Sequence, residues 1–359
     1  MIRTVMVSKK TIASILDGYE DIVIATVCSH SSLQIFHGAR QEGFRTLGIA
    51  IGKRPRFYDA FPLAKPDDFL IVDSYADIVD QADDLVSRHV VTVPHGSFVE
   101  YMGSDIFAKL RIPTFGNREV LRWESDREKQ REWLTSAGVD MPRKIERPQD
   151  IDRPVFVKYY GAKGGRGAFI AKNEEEFRAS IKPGMKFAIQ EYIIGTRYYM
   201  HYFYSPIVEK GYRLSKGSLE MLGIDRRDEA NIDEMYKLGA QERLRELGLY
   251  PTFVVTGNMP VVLRESLIPA ALEMAEDVVE RSLDLFGGMI GPFCLETIVQ
   301  DDLKFKVFEI STRIVAGTNL FVGGSPYSEL SEPGMSTGRR IAREIKLARK
   351  AGRLMDVVS

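Results

Sequence analysis

Residues 154–171 read PVFVKYYGAKGGRGAFIA, and the fold turns on this stretch. An apolar, strand-like run ends in Lys158, GAKGGRG follows, and a second apolar run leaves it. Four of the seven loop residues are glycine: Gly161, Gly164, Gly165 and Gly167. Glycine permits positive φ and close approach of backbone to a ligand, and successive N–H groups form an anion nest. Lys158, Lys163 and Arg166 add cations suited to phosphate. The stretch lacks GxxxxGK[ST] with a following helix, so it is no Walker loop. It reads as a glycine-rich hairpin flap over a triphosphate; a hairpin carrying solvated lysines is the competing reading.

Downstream, GPFCLETIV (291–299) and LKFKVFEISTR (303–313) are strand-like runs around Asp301 and Asp302. A hairpin with an even-numbered loop sets Glu296 directly opposite Glu309. Like charges so placed destabilise a sheet, and a cation such as Mg²⁺, shared with nucleotide phosphates, relieves the cost. Arg313, four residues on, is in reach of a transferring phosphoryl group. Two glutamates on a solvated face is the alternative. Between flap and hairpin, FAIQEYIIG (187–195) can present backbone groups to a base edge or be an ordinary core strand.

Upstream, IVIATV (22–27) is a continuous apolar run, as in a strand buried on both faces. Further strands read at 46–51, 69–72 and 90–93, with a helical pattern after CSHSS that stops at Gly43. Alternating strands and helices imply a parallel sheet, whose ligands bind beyond the strands' carboxyl ends. Those ends carry Ser29, His30, Ser31, then Lys53 and Arg54, then Asp73 and Ser74, then His95, Gly96 and Ser97. No GxGxxG follows the first strand.

A charged helix is expected over about 118–137, a linker over 142–154, and a C-terminal amphipathic helix over 336–354 with a solvated basic face. DRRDEANID (225–233) reads as an exposed charged loop, and Asn258 as either a ligand contact or a turn residue. His201, in an aromatic strand, reads as packed rather than catalytic.

The 359 residues carry 49 Lys and Arg against 50 Asp and Glu, a net charge of −1, which argues against a generally basic nucleic-acid binder. Cys28 and Cys294 form no disulfide framework or CxxC site. The longest uncharged stretch, 247–263, is interrupted by Pro251, Gly257 and Pro260. A soluble, cytoplasmic protein without membrane partner is expected.

The lysine strand, glycine flap, EYIIG segment and paired glutamates resemble the ATP-grasp fold, in which two α+β lobes clamp ATP behind a Rossmann-like domain. IATVCSHSSL, VTVPHGSF, FGNREVLRWES, VKYYGAKGGRG, GIDRRDEANID, TGNMPVVLRES and GPFCLE…FEISTR together resemble the archaeal formate-dependent formylaminoimidazole-carboxamide ribonucleotide synthetases of purine biosynthesis. The likeness runs from about residue 20 to the end. It implies a Rossmann-like, substrate-side domain over 1–120 and an ATP-grasp domain over 121–359. Within the latter, a flap lobe spans about 150–195 and a metal lobe about 196–359. It implies that ATP and formate convert aminoimidazole carboxamide ribonucleotide to its formamido product, with ADP and phosphate released. By this resemblance His30, Ser97 and Asn258 bind the ribonucleotide, with His30 also catalytic beside Arg313. Lys158, Gly161, Gly164, Gly165, Gly167, Glu191, Tyr192, Ile193, Ile194 and Glu229 bind ATP, and Glu296 and Glu309 hold Mg²⁺ or Mn²⁺. Ser311 stands where the general pattern has an asparagine ligand, and Val315-Ala316 where some relatives have Asp-Gly. Self-association is expected of such an enzyme. A ligase for another carboxylate and amine, and a nucleotide sensor without turnover, are the competing functions.

Overall fold

The computed structural model describes residues 6–159, 168–230, 235, 238–249 and 254–359. Three sheets organise them. The first comprises β1 (Val23–Val27), β2 (Arg45–Ile51), β3 (Asp68–Val72) and β4 (Val90–Thr92), parallel, in the order β3-β2-β1-β4. All five residues of β1 are buried, as its unbroken apolar run requires of a central strand. Strand order reverses between β1 and β4, so a crevice opens at their carboxyl ends.

The second sheet comprises β5 (Lys144–Ile145), β6 (Val155–Tyr159), β7 (Ala168–Ala171) and β8 (Phe187–Glu191), in the order β5-β8-β6-β7. It has its own small core of Ile145, Val155, Val157, Ala171, Phe177 and Ile189. Strands β6 and β7 pair antiparallel, with Lys158 opposite Ala168, so they flank a hairpin. The glycine loop itself, with Gly161, Gly164, Gly165 and Gly167, lies outside the described residues. The expected linker over 142–154 contributes a strand instead, because β5 pairs with the edge of β8.

The third sheet comprises β9 (Thr196–Ser205), β10 (Tyr212–Arg213), β11 (Ser218–Glu229), β12 (Val255–Pro260), β13 (Gly291–Val299) and β14 (Phe305–Ser311). Its order is β10-β11-β9-β13-β14, and β12 also pairs with β11. Alternation gives it two faces. Met200, Tyr202, Phe293 and Leu295 pack with Ala271, Ala275 and Val278 of helix Ile268–Phe286. Tyr199, His201, Cys294 and Glu296 therefore point the other way.

Two helices behave differently from expectation. The single helix over 118–137 is two, Arg118–Ser125 and Arg127–Ser136, because extended Asp126 turns its carboxylate onto the amides of Glu128 and Lys129 at 3.0 and 3.2 Å. Helix Thr337–Lys350 does not hold its basic face in solvent. Arg339 and Arg343 bond Glu42, and Arg340 is buried between Glu220 and Glu344. Glu42 and Glu220 lie on other elements, beyond what the helix's own pattern discloses, and Glu344 is one turn along.

Candidate active site

The β13–β14 hairpin sets Glu296 opposite Glu309 as expected, but by another route. Its loop is odd: Gln300 pairs with Lys304 around three residues, and Leu303 takes the left-handed conformation at φ 64°. A bulge at Phe308 then shifts the register by one, so Thr297 faces Val307 while Glu296 faces Glu309. Glu296 also lies opposite Tyr199 on β9, and Tyr199 opposite Asp225 on β11. Asp225, Tyr199, Glu296 and Glu309 thus form one row across four strands.

Glu296 is only 5% exposed. Burial, then the Glu309 charge, pushes its carboxyl up to about 7, against the pull of Arg227. Arg227 Nη2 donates to Glu296 Oε1 at 2.9 Å, and its guanidinium carbon sits 3.7 Å from the Tyr199 ring centroid. Lys158 reaches the same region from the second sheet. Its Nζ is 5.9 Å from the centroid of Phe308, the bulge residue, and 5.6 Å from that of Phe156. Burial draws the Lys158 ammonium below its usual range, while Glu309 and Glu296 pull it back.

Arg313 follows β14 and is held by helix Arg118–Ser125. Glu124 Oε2 accepts from Thr312 N at 2.9 Å and from Thr312 Oγ1 at 2.5 Å; Glu124 Oε1 lies 3.0 Å from Arg313 Nη2. Arg313 faces the end of the parallel sheet. A Cβ on Gly96 would sit 2.8 Å from His30 Nε2 and 3.7 Å from Arg313 Cζ, so a bare Cα lets these groups close together.

Here the crevice between β1 and β4 is lined by the expected residues. Ser29 Oγ and Ser97 Oγ are 2.7 Å apart, and the Ser97 amide donates to His30 Nε2 at 3.3 Å. That leaves the proton on His30 Nδ1, 3.0 Å from Ser31 Oγ. Burial, then the Arg313 charge, lowers His30 to about 4. The His95 ring is 4.5 Å away, its Nε2–H donates to the Val27 carbonyl at 3.0 Å, and burial lowers it to about 3. Two imidazoles and three hydroxyls meet here, with His95 wholly buried behind His30. Of the other strand ends, Arg54 pairs with Asp59 and Ser74 with Asp77, while Lys53 and Asp73 are exposed.

The remaining candidates spread along the third sheet and the turn into it. Asn258 lies in β12 opposite Arg227, not in a turn, and its Nδ2 donates to Asp225 Oδ2 at 2.7 Å. Glu229 ends β11, 3.7 Å from Arg197, a cation that also acts on Lys158. Glu191 ends β8; its Oε1 accepts from the Arg143 amide at 2.9 Å and its Oε2 is 3.5 Å from Arg153. Tyr192 and Ile194 are exposed, Ile193 is half-buried, and the Tyr192 ring is 6.5 Å from Phe156, the neighbour of Lys158.

The structure corrects the loop expected at 225–233: residues 225–229 are strand, and Asp225 is buried. Asp225, Arg227 and Glu229 alternate onto one face, a spacing that charge density obscures. His201 is packed as expected, 2.5 Å from Asp225 Oδ1. Among the described residues no group of three or more His, Cys, Asp or Glu side chains could hold a metal ion. Two opposed carboxylates, one strained toward protonation, still suit Mg²⁺, which takes one or two carboxylates along with substrate phosphates.

A parallel nucleotide-type sheet joined to two antiparallel lobes, with lysine and paired glutamates between them, defines an ATP-grasp ligase. Solved structures agree on the fold: an ADP complex of an N5-carboxyaminoimidazole ribonucleotide synthetase aligns with TM-score 0.62 at 13% identity, covering 90% of this chain and 76% of that one. The IMP biosynthesis protein PurP from Thermococcus kodakaraensis aligns with TM-score 0.71 at 33% identity, covering 94% of this chain and all of that one. A curated relative from Methanothrix thermoacetophila, a 5-formaminoimidazole-4-carboxamide-1-(beta)-D-ribofuranosyl 5'-monophosphate synthetase, is 64% identical over 99% of this chain and its own full length. The relative of that name from Pyrococcus horikoshii is 48% identical over 94% of this chain and 99% of its own. Models described as a protein of unknown function (DUF1246) and a domain of unknown function (DUF1297) match residues 24–145 and 176–359. The chain belongs to the 5-formaminoimidazole-4-carboxamide ribonucleotide synthetase family.

Proposed function

We propose that this enzyme uses ATP to join formate to the 5-amino group of aminoimidazole carboxamide ribonucleotide, a step of purine nucleotide biosynthesis. The observation that carries the reading is Arg313. It stands beside the neutral His30 and His95 and contributes to the field at Glu296, joining an uncharged pocket to a charged one.

Formate is a poor electrophile. A formate oxygen attacks the γ-phosphorus of ATP, the bond to ADP breaks, and formyl phosphate forms. The substrate amine attacks the formyl carbon, the C–O bond to phosphate breaks, and the phosphate carries away the amine proton. Such chemistry needs positioning, charge stabilisation and exclusion of water rather than a covalent nucleophile. Lys158, the glycines at 161, 164, 165 and 167, the segment from Glu191 through Tyr192 and Ile193 to Ile194, and Glu229 bind ATP. Glu296 and Glu309 would hold Mg²⁺ or Mn²⁺, which supplies charge neutralisation on the phosphates. Arg313 stabilises the transferring phosphoryl group. His30, Ser97 and Asn258 bind the ribonucleotide; a neutral His30 accepts or donates hydrogen bonds without adding charge.

The reading places the substrate side in residues 1–120 and the ATP-grasp domain in 121–359, in a self-associating cytoplasmic enzyme without nucleic-acid partner. Among the described residues no helix is long and apolar enough to cross a membrane. The test is an incubation with Mg-ATP, the ribonucleotide and isotopically labelled formate. Labelled formamido nucleotide with matching ADP is expected. ADP formed only with another carboxylate would point to a different ligase, and binding of both nucleotides without ADP release to a sensor.

A further inference from the structure

Asp225 and His201 are 1% and 2% exposed, and the proposed mechanism uses neither. Asp225 lies in the row that holds Glu296, while His201 lies opposite Cys294 in the adjacent row on the same face. Their contacts form a chain: His201 Nε2 to Asp225 Oδ1 at 2.5 Å, then Asp225 Oδ2 to Asn258 Nδ2 at 2.7 Å. A carboxylate only accepts hydrogen bonds, so both neighbours must turn an N–H toward it. His201 Nδ1 is buried with no partner, so Nε2 is the ring nitrogen that serves Asp225. The amide nitrogen of Asn258 is held in the same way, which turns its Oδ1 away from Asp225 as an acceptor. A third wall closes the carboxylate in. A Cβ on Gly317 would lie 2.3 Å from Asp225 Oδ1, so an alanine there would force the carboxylate to shift.

We propose that Asp225 is a positioning residue for the amine substrate, clamping Asn258 so that its carbonyl oxygen accepts a hydrogen bond from an exocyclic N–H of the aminoimidazole nucleotide. The inference rests on the reading of Asn258 as a ribonucleotide contact. An N–H so held fixes the nitrogen while its lone pair stays free to attack the formyl carbon. Without the carboxylate the Asn258 amide can rotate and offer a donor where an acceptor is needed.

The test is steady-state kinetics of Asp225→Asn and Gly317→Ala, with both nucleotides varied. Asp225→Asn keeps the volume but sets an N–H against one of its two donor neighbours. Gly317→Ala presses on the carboxylate from the opposite side without altering His201 or Asn258, and decides the matter if Asp225→Asn fails to fold. The expected result is a rise of about tenfold in KM for the ribonucleotide with KM for ATP unchanged. A folded variant with wild-type ribonucleotide KM, or with both KM values raised alike, overturns the clamp. A wild-type protein that neither binds nor formylates the ribonucleotide overturns the functional reading, and the clamp falls with it.

Discussion

The parallel sheet and the large antiparallel sheet meet at Arg313 and offer opposite surfaces to a ligand. At the parallel sheet's carboxyl end Ser29, His30, His95 and Ser97 are uncharged, and burial lowers both imidazoles toward the neutral form. On the antiparallel face Asp225, Arg227, Glu296 and Glu309 crowd formal charges side by side. The difference follows from construction. A parallel sheet presents loops at one end, where polar groups bond to backbone and to each other. An antiparallel sheet presents side chains in register, and directly opposed residues must interact whatever their charge. The second surface, with its cation, suits the triphosphate we propose for it, and the first suits hydrogen bonds to the ribonucleotide we propose there.

The largest expected effect tests the charged side. Glu309→Ala should lower kcat by about a thousandfold or more while circular dichroism and melting show a folded protein. An active Glu309→Ala enzyme would remove the metal assignment. Arg313→Lys comes next, with a loss on the order of a hundredfold in kcat, because a point charge replaces the fork that Glu124 holds. The neutral side should answer differently. Ser97→Ala should raise KM for the ribonucleotide about tenfold and leave KM for ATP unchanged, since it removes one hydroxyl from the β1–β4 crevice.

The smallest effect separates the two surfaces by sign. His30 is lowered to about 4, so the unfolded chain binds its proton first, and this group costs stability as pH falls from about 6.5 to 4. Glu296 is raised to about 7, so the stability it contributes is present below about 4.5 and is lost as pH rises through 7. Melting of metal-free, nucleotide-free protein between those limits should show His30→Asn losing less on acidification than wild type, and Glu296→Gln losing more. Variants that shift in the same direction would contradict the assignment of charge to the two surfaces.

The sequence made much of this legible where local pattern decides. The apolar run of β1 fixed its central place, and the crevice residues followed from the rule for parallel sheets. The opposed glutamates were also readable, although the even loop assumed for them is an odd loop corrected by a bulge at Phe308. What stayed hidden depended on partners distant in the chain. Arg227 finds Glu296 across the sheet, Glu124 finds Thr312 and Arg313, and Arg340 finds Glu220. The buried role of Asp225 was masked because DRRDEANID has a loop's composition, although residues 225–229 alternate as a strand. Asp126 hid its helix break because a capping aspartate also suits a helix interior's charge pattern.

The most direct test of the account is the fate of formate oxygen. With formate labelled by ¹⁸O in both positions, mass spectrometry of the inorganic phosphate after turnover reports whether an acyl phosphate formed. The account predicts one labelled oxygen in each phosphate released, and one in each formyl group. Phosphate free of label, alongside formylated product, would show that the charged face does not phosphorylate formate.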